Sequence, residues 1–150
     1  MINLGVNLDH VATVRNARGD NHPYPNLLAK YAIISGANSI TIHLREDRRH
    51  IRDHDLKCIK KNIKIPINLE IAPTNEMLKI AKKYKPESVC LVPEKRQELT
   101  TEGGLNIKKN IIFIKKMIKV LKKRNIKVSL FIEPIISHVL LAKKISADSI

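Results

Sequence analysis

The chain has 150 residues, enough for one domain with a real core, and its 28 Lys and Arg against 14 Asp and Glu give a formal net charge of +14. Such a charge suits nucleic acid, an anionic membrane surface or small anionic substrates. Yet most lysines fall on the outer faces of predicted helices, and with 3% aromatic residues and no Trp there is little for unpaired bases to stack on.

No apolar run approaches membrane-spanning length, and residues 1–8 turn polar too soon for a signal peptide. The expectation is a cytoplasmic protein with neither nucleic-acid nor membrane partners. Cys58 and Cys90 have no CxxC or zinc-ligand spacing, and their apolar settings read as buried, reduced thiols.

In chain order, Asn3 to Leu8 alternates as a first strand, with Leu4, Val6 and Leu8 opposite Asn3, Gly5 and Asn7. Asp9 and His10 follow at once, giving hydrogen-bonding side chains at a strand's end; an Asp there is also a common helix start. Thr13 to Gly19 holds Arg15, Asn16 and Arg18, and turn formers run on to Pro25. A helix from Asn26 to Ser35 is expected to turn Leu27, Leu28, Tyr31, Ala32 and Ile34 inward and to stop at Gly36.

The second strand, Ser39 to Leu44, puts Ile40 and Ile42 on one face and Thr41 and His43 on the other. It runs straight into Arg45-Glu46-Asp47-Arg48-Arg49-His50. A charge run of this kind is commonly just a solvated loop, but a strand ending in His and Arg is also what the rim of a barrel enzyme requires. A helix over Asp53 to Lys61 follows. His50 and His54 stand four apart, but with no Glu between them and no third ligand nearby, no metal site is expected.

The third strand, Ile67 to Ile71, carries Glu70 on the face opposite Ile67, Leu69 and Ile71. A carboxylate there is either solvent-facing on an edge strand or a buried acid–base group with a raised pKa. The repeating βα pattern, which covers both faces of a strand, favours the second. Thr74 is placed to cap a helix to Tyr84, with Met77, Leu78, Ile80 and Ala81 inward.

Ser88 to Val92 reads as a fourth, buried strand. The long loop Pro93 to Gly104 offers Thr100 and Thr101 hydroxyls and paired glycines suited to a phosphate. A helix from Ile107 to Arg124 has its core stripe at Ile107, Ile111, Ile114, Ile118 and Leu121. A fifth strand, Lys127 to Ile132, and a helix from Ser137 to Ile145 complete the pattern. Val139, Leu140 and Ala142 are expected to cover the sheet and His138 to lie at the surface, while Ser149 and Ile150 begin a sixth strand.

Strands alternating with helices define an α/β fold. Functional-looking residues follow four consecutive strands and no G-x-G-x-x-G follows the first, which favours a (β/α)8 TIM barrel over a doubly wound sheet. A barrel usually needs about 250 residues. The chain therefore reads as a single, incomplete domain, 1–150, supplying five βα units and the start of strand six.

These residues resemble the pyridoxine 5′-phosphate synthases of the deoxyxylulose-dependent vitamin B6 pathway. The resemblance spans the whole chain. It rests on Gly5-Val6-Asn7-Leu8-Asp9-His10, Arg15-Asn16-Ala17-Arg18-Gly19, Thr41 through Ile51, Asn68-Leu69-Glu70, Leu91 through Glu98, Thr100-Thr101-Glu102-Gly103-Gly104 and Val128 through Ile132. It implies a TIM barrel assembled into a homo-oligomer, often an octamer. The implied enzyme is a ring-closing synthase of the transferase class. It would condense 3-amino-2-oxopropyl phosphate with 1-deoxy-D-xylulose 5-phosphate to give pyridoxine 5′-phosphate, phosphate and water.

By position, the resemblance makes His43 and Glu70 the proton-accepting residues. Asn7 and Arg18 would contact the amino-ketone phosphate; Asp9, His10, Arg45, His50 and Thr100 would contact the deoxyxylulose phosphate. It calls for no metal and no organic cofactor. It also places the family's proton-donating His, an acidic residue after strand six and a glycine-rich phosphate site beyond Ile150. The alternatives are a truncated, inactive half-barrel remnant and, remotely, a basic nucleic-acid-binding protein.

Overall fold

The computed structural model describes residues 2–94 and 103–150. The chain forms two compact units, residues 1–70 and 71–150. The first is built on three parallel strands, β1 (Gly5–Asn7), β2 (Ser39–His43) and β3 (Ile67–Ile71), side by side in chain order. Its helices are α1 (Asp9–Ala17), α2 (Pro25–Ile34) and α3 (Asp53–Asn62).

Register fixes which side chains share a face. Asn7 pairs with Thr41, Thr41 with Asn68, and His43 with Glu70. Side chains on a strand alternate between faces, so these five form a polar surface of the sheet. The opposite surface is apolar: Ile40, Ile42 and Leu69 are fully buried and Ile67 nearly so. That alternation is the pattern read from the sequence, and it pins the register, because a slip of one residue would turn Thr41 and His43 onto the apolar face that Ile40 and Ile42 now fill.

α1 is a helix the sequence reading did not draw. Its inward face is carried by Ala12 and Arg15, one small residue and one charged, while Val14 is half exposed, so no apolar stripe announces it. Asp9 in its first turn suits the positive end of the helix dipole. α2 begins with Pro at its first position, as a fixed φ favours.

The inward set expected for α2 is corrected. Pro25 and Ala29 are its buried residues, whereas Leu27, Tyr31 and Ile34 are exposed, Ile34 at 80%. A helix apolar on every side does not declare its face, and here the small Ala29 marks the inward one. Cys58 and Cys90 are both only half-buried, another departure from expectation.

The second unit contains α4 (Asn75–Tyr84), β4 (Ser88–Leu91), α5 (Ile111–Lys122), β5 (Lys127–Leu130) and α6 (Ile136–Lys144). Thr74 caps α4 as expected, its Oγ1 accepting the Met77 amide at 3.4 Å. β4 and β5 pair in parallel from Ser88↔Lys127 to Leu91↔Leu130. Ile114, Met117, Ile118 and Leu121 form the buried stripe of α5, and one 3-10 turn, Lys108–Asn110, precedes it.

Ser149 bridges to Ser129 in parallel, the beginning of a further strand as the sequence suggested. On α6 only Ala142 is buried; Val139 and Leu140 are 39% and 61% exposed, so they do not provide the cover expected of them. His138 is half-buried with its Nδ1 enclosed, rather than at the surface.

Gly104 lies against the start of the segment after β5. Its amide donates to Glu133 Oε1, and a Cβ built on it would come within 2.1 Å of the Glu133 nitrogen. No described helix is long and apolar enough to cross a membrane.

Candidate active site

The first unit gathers three titratable side chains at the carboxyl ends of its strands. β1 ends at Asn7, and the chain turns into α1 with Asp9 as its first residue. Asn7 shapes that turn: its Oδ1 accepts the Asp9 amide at 2.7 Å and its Nδ2 donates to Asp9 Oδ2 at 3.2 Å. Asp9 Oδ1 in turn accepts the backbone N–H of His43 at 2.8 Å. The Asp9 carboxylate thus takes up the last amide of β2, after Leu8 N–H has bonded the Thr41 carbonyl.

On the neighbouring strand Glu70 faces His43, with His43 Nδ1 3.9 Å from Glu70 Oε2. His43 is 5% exposed. Burial raises the Glu70 pKa above its ordinary value; the charge of His43 opposes that rise and the charge of Asp9 adds to it. Burial also raises Asp9, against the hydrogen bonds from the His43 amide and Asn7 and the charges of His43 and His50. Two carboxyls with raised pKa values facing one imidazole are groups that can pass protons to a bound molecule and take them back.

One ligand atom from each of Asp9, His43 and Glu70 lies within 4.8 Å of the others, close enough to hold a divalent cation. Both Asp9 oxygens are already engaged by the His43 amide and Asn7. The cluster is therefore organised by hydrogen bonds as it stands.

The other expected residues divide. His50 joins the site through helix α1: its Nδ1 is 2.9 Å from Thr13 Oγ1, and that hydroxyl donates to the Asp9 carbonyl at 3.0 Å. Arg45 is buried at 3% exposure, with its Nε 3.9 Å from Asp47 Oδ1. His10 is exposed. Arg18 lies at the other end of α1 from Asp9, exposed, beside His22 and Tyr24 at an open cavity of about 360 Å³. Thr100 falls outside the described residues.

Sequence reasoning passed over the partners that hold this loop. Arg15 makes a two-pronged pair with Asp55, Nη1 to Oδ1 at 2.6 Å and Nη2 to Oδ2 at 2.9 Å, and both side chains are under a tenth exposed. Arg15 Nη2 also reaches the His50 carbonyl at 3.2 Å, and Asn16 Nδ2 donates to the carbonyls of Arg49 and His50, both at 2.9 Å. Asp55 sits three residues after Arg52, whose amide it accepts, in the position of a helix-capping acid. That spacing was the available signal.

The fold and this cluster define the class: a parallel α/β protein with a cluster of ionisable side chains at the carboxyl ends of its strands. The profile of the family described as Pyridoxal phosphate biosynthesis protein PdxJ matches residues 4–150. The pyridoxine 5′-phosphate synthase of Ehrlichia chaffeensis is 56% identical over 147 residues, covering 98% of this chain and 62% of that protein. Those of Pelagibacter ubique and Bdellovibrio bacteriovorus are 53% and 52% identical over 150 and 151 residues, each covered to 63% of its length. The chain belongs to the PdxJ family. It spans 62–63% of the length of these relatives.

Proposed function

We propose that this chain is the amino-terminal part of a pyridoxine 5′-phosphate synthase. The reaction is condensation of 3-amino-2-oxopropyl phosphate with 1-deoxy-D-xylulose 5-phosphate, giving pyridoxine 5′-phosphate, phosphate and water. The observation that carries this reading is the His43–Glu70 pair, set on adjacent parallel strands in a chain more than half identical to proteins of that name.

Ring closure needs an imine, an enolisation, a dehydration and the loss of phosphate, so protons must be taken up and returned several times. His43 and Glu70 perform those transfers. Glu70, with its raised pKa, retains a proton to higher pH than a solvated carboxylate would. Asp9 fixes His43 through its backbone and, with His10, Arg45, His50 and Thr100, binds the deoxyxylulose phosphate. Asn7 and Arg18 bind the amino-ketone phosphate, the guanidinium matching the phosphate's geometry.

The strands 1–150 contribute belong to a single (β/α)8 barrel, working in the cytoplasm as a homo-oligomer without metal, organic cofactor, membrane or nucleic acid. The test is product formation from the two phosphates by the full-length protein, followed by mass spectrometry. Pyridoxine 5′-phosphate formed in a reaction that His43→Asn removes is the expected result. Absence of product from a folded, full-length protein overturns the reading in favour of an inactive remnant.

A further inference from the structure

The Arg15–Asp55 pair is joined to the site through one short run of backbone. Three main-chain groups between residues 49 and 52 are held by side chains of α1 and α3. The Arg49 carbonyl accepts from Asn16, the His50 carbonyl from Asn16 and Arg15, and the Arg52 amide donates to Asp55. Arg15 Nε donates to Asn16 Oδ1 at 3.0 Å, which orients the Asn16 amide so that its Nδ2 faces those carbonyls.

We infer that Arg15, Asn16 and Asp55 form a clamp that positions His50 and selects its tautomer. Thr13 of α1 joins the His50 ring to the helix that carries Arg15 and Asn16. Its hydroxyl proton is committed to the Asp9 carbonyl, one helical turn back, so Oγ1 can only accept from His50. His50 Nδ1 therefore carries the proton, and in the neutral ring Nε2 is left as the acceptor. That geometry holds only while the 49–52 backbone stays fastened to α1. None of the three clamp residues belongs to the Asp9–His43–Glu70 cluster; they are positioning residues.

The catalytic consequence rests on the reading of His50 as a substrate contact, so the experiment has one arm that depends on that reading and one that does not. In the full-length protein, Arg15→Met with Asp55→Leu removes both charges together and leaves neither buried alone. Asn16→Ala, the milder variant, removes the two carbonyl contacts and no charge. Nitrogen-15 NMR of the histidine rings reads the tautomer directly.

The expected result is a protonated Nδ1 at His50 in the parent protein and loss of that preference in the variants. KM for the deoxyxylulose phosphate should then rise about ten- to a hundredfold, more than kcat falls. Thr13→Ser should retain the tautomer and Thr13→Val should lose it. Folded variants with the parent's tautomer and KM overturn the clamp. A parent protein with no synthase activity overturns the proposed function instead, and the NMR arm still decides the clamp.

Discussion

His43 and Glu70 occupy partner positions on adjacent parallel strands, and their side chains meet with Nδ1 3.9 Å from Oε2. A sheet is a stiff mount for the two groups to which the proposed function gives the proton transfers, because neither backbone can shift without breaking ladder hydrogen bonds. The pair is also unequal: His43 is almost fully enclosed, while about a quarter of the Glu70 side chain is open. Glu70 is the group better placed to meet solvent or substrate.

Replacing either partner should abolish turnover without abolishing binding. His43→Asn and Glu70→Gln in the full-length protein are each expected to lower kcat by about 10²–10⁴-fold. Substrate titration by calorimetry should still detect the phosphates. Near-normal kcat in both variants would remove these residues from the chemistry.

The raised pKa of Glu70 carries a signature in stability. Its folded-state value lies above the ordinary 4.5, so the folded protein binds the proton more tightly than the unfolded chain. Stability from this group is fully present below pH 4.5. It is lost as pH rises from there through the raised value, and is constant above it. Glu70→Gln lacks the ionised form. It should raise Tm relative to the parent at pH 7, by about 2–4 °C for each kcal/mol relieved, and leave the difference near zero at pH 3. Equal shifts at both pH values would contradict the burial argument.

Arg15 and Asp55 predict a non-additive pair. Arg15→Met alone strands a buried carboxylate and should cost about 3–5 kcal/mol in urea unfolding. Arg15→Met with Asp55→Leu should recover most of that loss, since neither charge is then unpaired. A double variant as unstable as the sum of the two single ones would show that the charges do not depend on each other.

Gly104→Ala tests the close approach after β5. A Cβ at 2.1 Å from the Glu133 nitrogen and 2.5 Å from the Ile132 carbonyl carbon cannot be relieved by a side-chain rotation, because both are backbone atoms. The expected loss is about 1–3 kcal/mol, the usual range for overpacking. Chemical denaturation reads it, and an unchanged midpoint would mean that the backbone yields freely there.

Strands β2 and β3 were legible because their apolar and polar residues alternate without interruption, and Glu70 stood out as the carboxylate that broke an apolar run. α4 and α5 were legible from helical spacing and, for α4, from Thr74. α1 was not, because a buried Arg looks like a surface residue until its partner is known, and Asp55 lies 40 positions away. α2 misled for the opposite reason: with apolar residues all round, composition could not choose between Ala29 and Ile34. Asn7, Asp9, His43, His50 and Glu70 share a connected neighbourhood, whereas the expected site residues His10 and Arg18 are exposed and Arg18 stands at the far end of α1.

Asp9 grips His43 by its amide, so that hydrogen bond does not depend on which side chain stands at position 43. A change of side chain at position 43 leaves the amide, and therefore Asp9, where it was. A change at position 9 releases the end of a strand and lets the imidazole drift. The two sites should thus differ in kind: Asp9 governs where His43 stands through a bond to its backbone, while His43 acts back on Asp9 through its charge.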